Sequence, residues 1–260
     1  MNFDDALKQH LPRVWFRFKF LKYKHLKRGE PELWLIRHLV EPGTTALDVG
    51  ASIGIYAAEM ARYAAKVIAF EANPEVAAFA ASVAARNVEV VNTALSSRAG
   101  RTTLTVPLNA KGRAVTELAS IAPQQQSENA VTINVETQRL DAFPIANCSF
   151  IKIDVEGHEE GVLDGASALI AAQRPVLMIE LVEAFNPGVV RRLSARYAAL
   201  DYRGLFLSQG SLHPIGAFEP AHHQNPDNLK PRHKLPRGAE FINNVLFVPN
   251  EKSERIETLI

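Results

Sequence analysis

The sequence predicts an α/β fold in which a mostly parallel sheet is covered by helices on both faces. Short apolar runs typical of buried strands alternate with helical patterns, beginning with strands at residues 46–49, 67–70 and 88–91. A glycine-containing turn links the first strand to the first helix. The chain has 260 residues and is 47% hydrophobic, so it can bury a full core. We therefore expect one large domain whose ligands bind at the carboxyl ends of its strands.

The segment from residue 8 to residue 28 is basic and aromatic. It holds eight Lys or Arg residues and no acidic residue. Two interpretations are open. A lid helix would pack its aromatic side chains on the domain and turn its charges to water, whereas a membrane-binding helix would lie on an anionic surface. A short amphipathic helix at residues 32–40 then precedes the first strand.

The turn after the first strand has the features of a cofactor site. Gly50 and Gly54 form a G-x-x-x-G turn, and glycine permits positive φ and close approach of a ligand to the backbone. The next strand ends in Glu71, where an acidic side chain can accept both hydroxyls of a ribose. Asp48 precedes the turn and would repel a pyrophosphate, but it suits the cationic groups of S-adenosylmethionine. A nucleoside-bearing cofactor is predicted, with a purely structural turn as the alternative.

The second half of the chain predicts further strands and a second acidic turn. Alternating runs at residues 102–106 and 131–137 indicate extra strands that could line a substrate cleft. An apolar strand then carries Lys152, Asp154 and Glu156, and charges at the end of a buried strand are costly unless they are paired or functional.

Composition limits the class of function. The net charge of +1 argues against a chain-wide nucleic-acid surface, so no nucleic-acid partner is expected. The single cysteine, Cys148, excludes an intrachain disulfide and indicates a reducing compartment. No apolar run reaches the roughly 18 residues that span a bilayer, and no signal-peptide pattern is present. We expect a cytoplasmic protein, with peripheral attachment at the inner face of the membrane as the alternative.

With both halves in view, the motifs resemble the FkbM-like branch of class I S-adenosylmethionine-dependent methyltransferases. The matching segments are LDVGASIG (47–54), AFEANP (69–74), NTALSSRAG (92–100), RLDAF (139–143), IKIDVEGHEEGVLDGA (151–166), RPVLMIEL (174–181) and NNVLFVP (243–249). Ser52 stands where the family usually has Asn, and Ala72 where Pro often stands. The resemblance implies a Rossmann-like seven-stranded sheet with an antiparallel last strand.

The resemblance also implies the domain organisation and the reaction. Residues 41–250 would form the methyltransferase domain, residues 1–40 a basic aromatic N-terminal helical extension or lid, and residues 251–260 a C-terminal tail. The reaction would be transfer of a methyl group from S-adenosylmethionine to a hydroxyl of a sugar, glycan or polyketide-like acceptor. A catalytically inactive cofactor-binding or membrane-surface scaffold module is the alternative.

By the same resemblance, the cofactor residues lie in the turns after the first four strands. Glu71 would hold the ribose, and Asp48 and Asp154 would face the cationic end of the cofactor. The full expected set is Asp48, Gly50, Ala51, Ser52, Gly54, Glu71, Ala72, Asn73, Asn92, Thr93 and Asp154.

The catalytic base is sought near the second acidic turn, because an aliphatic hydroxyl is a poor nucleophile at neutral pH. His158 is the first candidate, since its ordinary pKa suits proton abstraction. Glu156, Glu159 and Asp154 are the competing candidates. Glu156, His158 and Glu180 are expected to bind the acceptor. We expect a metal-free site. The alternative is a divalent ion held by these carboxylates and the imidazole.

Overall fold

The computed structural model describes residues 3–25, 31–122, 129–229 and 240–257. Its strands are β1 (Thr45–Val49), β2 (Lys66–Glu71), β3 (Val88–Asn92), β4 (Ala94–Leu95), β5 (Gly100–Pro107), β6 (Ala130–Gln138), β7 (Cys148–Ile153), β8 (Val176–Glu180), β9 (Tyr202–Ser208), β10 (Ser211–Pro214) and β11 (Asn244–Pro249).

The helices connect these strands and cover them. They are α1 (Phe3–His10), α2 (Pro12–His25), α3 (Ile36–Leu39), α4 (Ile55–Met60), α5 (Pro74–Val83), α6 (Glu159–Gly165), α7 (Ser167–Gln173), α8 (Val189–Ala198), α9 (Pro220–His223) and α10 (Asn250–Glu257). Short 3₁₀ segments occur at Pro31–Trp34, Thr116–Leu118, Leu140–Ala142, Ile215–Ala217 and Pro226–Leu229. None of the described helices is long and apolar enough to cross a bilayer.

The main sheet confirms the predicted α/β class. Its order is β10-β9-β11-β8-β7-β1-β2-β3, and β3, β2, β1, β7 and β8 run parallel to one another. Strand β11 runs antiparallel between β8 and β9, as the family resemblance implied. The carboxyl ends of β1, β2, β7 and β8 therefore meet at one edge of the sheet, where a ligand site is expected.

The sheet has eight strands, one more than the seven expected. The additional strand, β10, pairs with the edge of β9 through a turn at Gln209 and Gly210, whose φ values are +51° and +79°. Positive φ at two central residues is typical of a tight hairpin turn. The strand has four residues and ends at Pro214, so its sequence lacked a clear alternating pattern.

Both faces of the main sheet are buried. In β7, Ile151 and Ile153 belong to one apolar core, whereas Phe150 belongs to the core on the opposite face. In β8, Leu177 belongs to the same core as Ile151, and Met178 belongs to the same core as Phe150. Neighbouring residues of a strand point to opposite faces, so continuous apolar strands require helices on both sides of the sheet.

A second, three-stranded sheet is built from the middle of the chain. Strands β5 and β6 form an antiparallel hairpin, and β4 pairs in parallel with β6. The extra strands predicted at residues 102–106 and 131–137 are thus confirmed. The polar loop at Gln124, Gln125 and Gln126 lies outside the described residues.

The N-terminal segment forms two helices instead of the single one predicted. Helix α1 ends at His10 and α2 begins at Pro12, whose missing N–H is tolerated at the first position of a helix. Lys27 and Arg28 lie outside the described residues. The helix expected at residues 32–40 is divided into a 3₁₀ turn and the short α3.

Helix α2 packs on the domain. The Trp15 ring meets Phe79 of α5 edge to face at 5.5 Å, and the Lys24 ammonium lies 2.6 Å from the Glu59 carboxylate of α4. Both partners of this ion pair are buried. The inner face of α2 is therefore fixed by an aromatic contact near its start and a charge pair near its end.

Candidate active site

The turns after β1 and β7 touch through their backbones. Gly50 has φ +80°, and a Cβ at this position would lie 1.7 Å from the carbonyl oxygen of Asp154. The Asp154 N–H donates to the Val49 carbonyl at 2.9 Å. Only glycine fits this close approach, so the two turns predicted separately from the sequence form one structure.

Glu71 links the turns after β1 and β2. One carboxylate oxygen accepts a hydrogen bond from the Ser52 N–H at 2.8 Å, and the other accepts from the Asn73 N–H at 2.8 Å. Burial raises the pKa of Glu71, although these backbone donors favour its ionised form. A carboxylate has about four lone-pair sites, so both oxygens can still accept further hydrogen bonds. Asn73 itself caps α5.

Asp48 lies behind the turn. Its side chain is buried and accepts a hydrogen bond from the Ala57 N–H at 2.8 Å, which satisfies a free donor in the first turn of α4. Burial raises the pKa of Asp48 to about 7, against the opposing effect of the nearby Lys152 charge. The structure thus places this carboxyl where it supports the helix that follows the turn.

A cluster of the buried Lys152 and half-buried carboxyl groups lies at the ends of β7 and β8. The Lys152 ammonium donates to Asp154 at 3.3 Å and lies over the Tyr56 ring at 5.2 Å from its centre. Burial opposes ionisation of Asp154, but the Lys152 charge and a hydrogen bond from Glu180 outweigh it and hold the pKa of Asp154 below its usual value. Burial and the adjacent Asp154 charge raise the pKa of Glu180 well above its usual value. Asn243 donates a further hydrogen bond to Glu180.

Ionisation in the cluster is therefore favoured at Asp154 over Glu180. The cation of Lys152 selects which of the two carboxyls ionises, because it lies against Asp154. The carboxyl oxygens of Asp154, Glu156 and Glu180 also lie within 4.8 Å of one another. Such a group could bind a divalent ion as well as a cationic ligand.

These elements surround a cavity of about 290 Å³. Its walls come from the turns after β1, β2 and β7, from the small sheet and its 3₁₀ segment, and from the end of α2. Ser120, which follows that 3₁₀ segment, donates a hydrogen bond from its hydroxyl to the Glu156 carbonyl at 2.6 Å. The insertion predicted to line a cleft therefore forms one wall of this cavity.

The predicted site residues divide into two groups. Those that line the cavity are Gly50, Ser52, Glu71, Ala72, Thr93, Asp154, Glu156 and Glu180. Those that stand behind its wall are Asp48, Ala51, Gly54, Asn73, Asn92 and His158. Asn92, for example, donates its side-chain amide to the backbone carbonyls of Glu71 and Ala72. The second group supports the turns that carry the first.

His158, the first candidate for the base, does not line this cavity. The imidazole hydrogen-bonds to the Ser96 hydroxyl at 2.9 Å, and a Cβ at Gly161 would lie 2.3 Å from its Nε2. Burial lowers the pKa of His158. The backbone has positive φ at Glu156 (+53°) and Gly157 (+98°), immediately before His158.

Sequence reasoning missed most of the apolar lining and the contribution of the N-terminal helix. Tyr56, Leu104 and Ile121 line the cavity, as do Tyr23 of α2 and Glu117 of the 3₁₀ segment. The strand pattern at residues 102–106 indicated the wall that carries Leu104. No local signal identified Tyr23, because its role depends on how α2 packs.

Comparison with known proteins identifies a matching family. The family model described as Methyltransferase FkbM domain matches residues 48–203, which is more than half of the chain. This match confirms the family resemblance carried by the sequence motifs. A search of curated proteins found no match.

A solved methyltransferase structure shares the fold. The crystal structure of the methyltransferase FkbM from Methylobacillus flagellatus KT is similar with a TM-score of 0.50 and 16% identity, over 94% of this chain and 57% of that chain. This chain thus spans less than two thirds of that protein. The precorrin-6y C5,15-methyltransferase from Geobacter metallireducens GS-15 has a TM-score of 0.42 and 16% identity over 71% and 78% of the two chains. A TehB-like SAM-dependent methyltransferase from Corynebacterium glutamicum ATCC 13032 Kitasato has a TM-score of 0.41 and 14% identity over 93% and 98%.

Proposed function

Because the chain belongs to the methyltransferase FkbM domain family, we propose that it transfers a methyl group from S-adenosylmethionine to a hydroxyl of a sugar, glycan or polyketide-like acceptor. The observation that carries this proposal is the acidic cavity at the carboxyl ends of β1, β2, β7 and β8. We also place the protein in the cytoplasm, where a free buried thiol such as Cys148 remains reduced.

The chemistry of the lining residues fits S-adenosylmethionine. Glu71 retains lone pairs toward the cavity and would accept the ribose hydroxyls. Ala72, Ala94 and Leu104 pack as a small apolar cluster beside Thr93 and would contact the adenine. The ionised Asp154 would attract the cationic end of the molecule.

Bound S-adenosylmethionine would supply an activated methyl group on a positively charged sulfur. The protein must then orient the acceptor hydroxyl and remove its proton as the new O–C bond forms, and Asp154 is the base we assign to this step. The Lys152 charge favours ionisation of Asp154, and Glu180 hydrogen-bonds to it. Glu156 lines the same part of the cavity and would hold a second acceptor hydroxyl.

The charges of the cavity favour a neutral acceptor. Its described lining includes five acidic residues but no Lys, Arg or His. A phosphate or carboxylate on the acceptor would be repelled, whereas hydroxyl groups can donate hydrogen bonds to carboxylates. This favours a polyhydroxylated compound over a nucleic acid.

The proposal is tested by methyl transfer from isotopically labelled S-adenosylmethionine to cell-envelope glycans of the source organism, detected by mass spectrometry. The native chain should label a product. Asp154→Asn should lower the rate by about a hundredfold or more, because a positioned base contributes that much to such a step.

The matched control is Asp164→Asn, which changes an exposed carboxylate paired with Arg196 on the outside of the domain. It should retain the native rate. Equal rates for Asp154→Asn and the native chain at saturating substrates would exclude Asp154 as the base.

We further propose that turnover does not require a divalent metal. Lys152 already supplies a positive charge beside Asp154, and burial and the Asp154 charge raise the pKa of Glu180 well above its usual value, so ionisation of all three carboxyls is disfavoured. Activity should survive prolonged chelation with EDTA. Loss of activity on chelation, restored by added Mg²⁺, would contradict this.

A further inference from the structure

The N-terminal helices carry an apolar surface that the domain does not cover. On and just before α2, the side chains of Leu11, Val14, Phe18 and Leu21 are 54%, 41%, 65% and 49% exposed. Their spacing of three, four and three residues places them on one face of a helix. Elsewhere in the described chain, large exposed apolar side chains are scattered over different elements, at Trp34, Leu118, Val131 and Leu200.

Helix α2 is packed against the domain along its inner face. Its inner face carries the buried Trp15 and Phe16, and Arg13 donates to the Ser82 carbonyl of α5 at 3.1 Å. The buried pair of Lys24 and Glu59 fixes its other end. The outer face is therefore held outward by the fold.

Cations border this apolar face. Arg17 and Lys22 are exposed on its two sides, and Lys8 and Lys19 lie over the faces of the Trp15 ring at 5.2 and 5.0 Å. No acidic residue occurs between residues 8 and 28. In α1, Asp4 accepts a hydrogen bond from the Trp15 indole at 3.0 Å.

We propose that this outer face of α2 docks on an anionic membrane surface. Apolar side chains would enter the boundary between headgroups and acyl chains, and the flanking cations would contact anionic headgroups. Charge argues against a second copy of the chain as the partner, because two such faces would bring their cations together. The proposal does not depend on the identity of the reaction.

Flotation of the full chain with lipid vesicles tests this surface. The native chain should bind vesicles of phosphatidylcholine with 30% phosphatidylserine, bind pure phosphatidylcholine vesicles at least about tenfold more weakly, and be released in part by salt. Phe18→Ser/Leu21→Ser should weaken binding by roughly tenfold or more, since two apolar side chains no longer enter the membrane. Arg17→Ser/Lys22→Ser should abolish the preference for anionic lipid.

The matched control is Val131→Ser/Leu200→Ser, which removes two exposed apolar side chains from other elements and should bind as the native chain does. Circular dichroism should show that all variants are folded. Failure of the native chain to bind anionic vesicles, or unchanged binding of Phe18→Ser/Leu21→Ser, would overturn the proposal. A native dimer that Phe18→Ser/Leu21→Ser converts to a monomer, without vesicle binding, would identify a second copy as the partner instead.

Discussion

Gly50 is the residue on which the two halves of the site depend. Gly50→Ala would force a Cβ to within 1.7 Å of the Asp154 carbonyl oxygen, so the turns after β1 and β7 would have to separate. We expect a loss of several kcal/mol in the free energy of unfolding, measured by urea denaturation.

Gly210→Ala provides the control for this prediction. Gly210 has a similar φ of +79°, but a Cβ there would meet nothing within 4 Å. Its substitution therefore reports the cost of positive φ alone, about 1–2 kcal/mol. Equal losses in the two variants would show that the contact between the turns does not matter for stability.

Asp48 predicts a pH dependence of stability. Its pKa is about 7 in the folded chain and near 3.8 when unfolded, so the folded state binds the proton more tightly. The contribution of Asp48 to stability is therefore greatest below the lower value and falls as pH rises to about 7.

Asp48→Asn should remove this penalty, because an amide oxygen can still accept from the Ala57 N–H. The free energy of unfolding of the variant minus that of the native chain should rise between pH 4 and pH 7, by an amount on the order of a few kcal/mol. Glu159, whose pKa burial also raises to about 7, is present in both proteins and cancels. Parallel pH profiles would contradict the assignment.

The positions of individual site residues were not all equally predictable from the sequence. Glu71 was predictable because it ends a strand next to a glycine turn. The position of the His158 ring was not, because the ring hydrogen-bonds to Ser96, which is distant in the sequence.

Helix α2 is held on the domain by the buried ion pair of Lys24 and Glu59. Lys24→Met would leave the Glu59 carboxylate buried without its cation, and breaking a buried pair in this way costs about 3–5 kcal/mol. The loss should appear in the free energy of unfolding of the full chain.

Lys22→Met is the control on the same helix, since Lys22 is exposed. It should leave stability nearly unchanged. The double variant Lys24→Met/Glu59→Gln should recover part of the loss. Full stability of Lys24→Met alone would mean that the ion pair does not hold α2 to α4.

The elements differ in how far sequence patterns reveal them. The parallel strands have short apolar runs between helical patterns and were predicted, as were strands β5 and β6 of the small sheet. Strand β10 is short and ends in proline, and the division between α1 and α2 at Pro12 interrupts a basic pattern that otherwise reads as continuous. The position of Tyr23 in the cavity wall follows from tertiary packing, which local patterns do not encode.

Across the whole molecule, a net charge of +1 hides a separation of charge. Carboxylates gather around the cavity, and among the N-terminal helices the cations gather on α2. The cavity is thereby suited to a cationic cofactor and a neutral acceptor, while the helices are suited to an anionic surface. Composition alone excluded a uniformly basic surface but could not reveal this arrangement.

The most direct test of the central claim is isothermal titration of the full chain with S-adenosylmethionine. The native chain should bind it with one site per chain, and NAD should not bind. Glu71→Gln should bind at least about tenfold more weakly, because it loses a charged acceptor for the ribose. Glu75→Gln, which changes an exposed carboxylate in the first turn of α5, should bind as the native chain does. Failure of the native chain to bind S-adenosylmethionine, or binding of NAD in its place, would contradict the account.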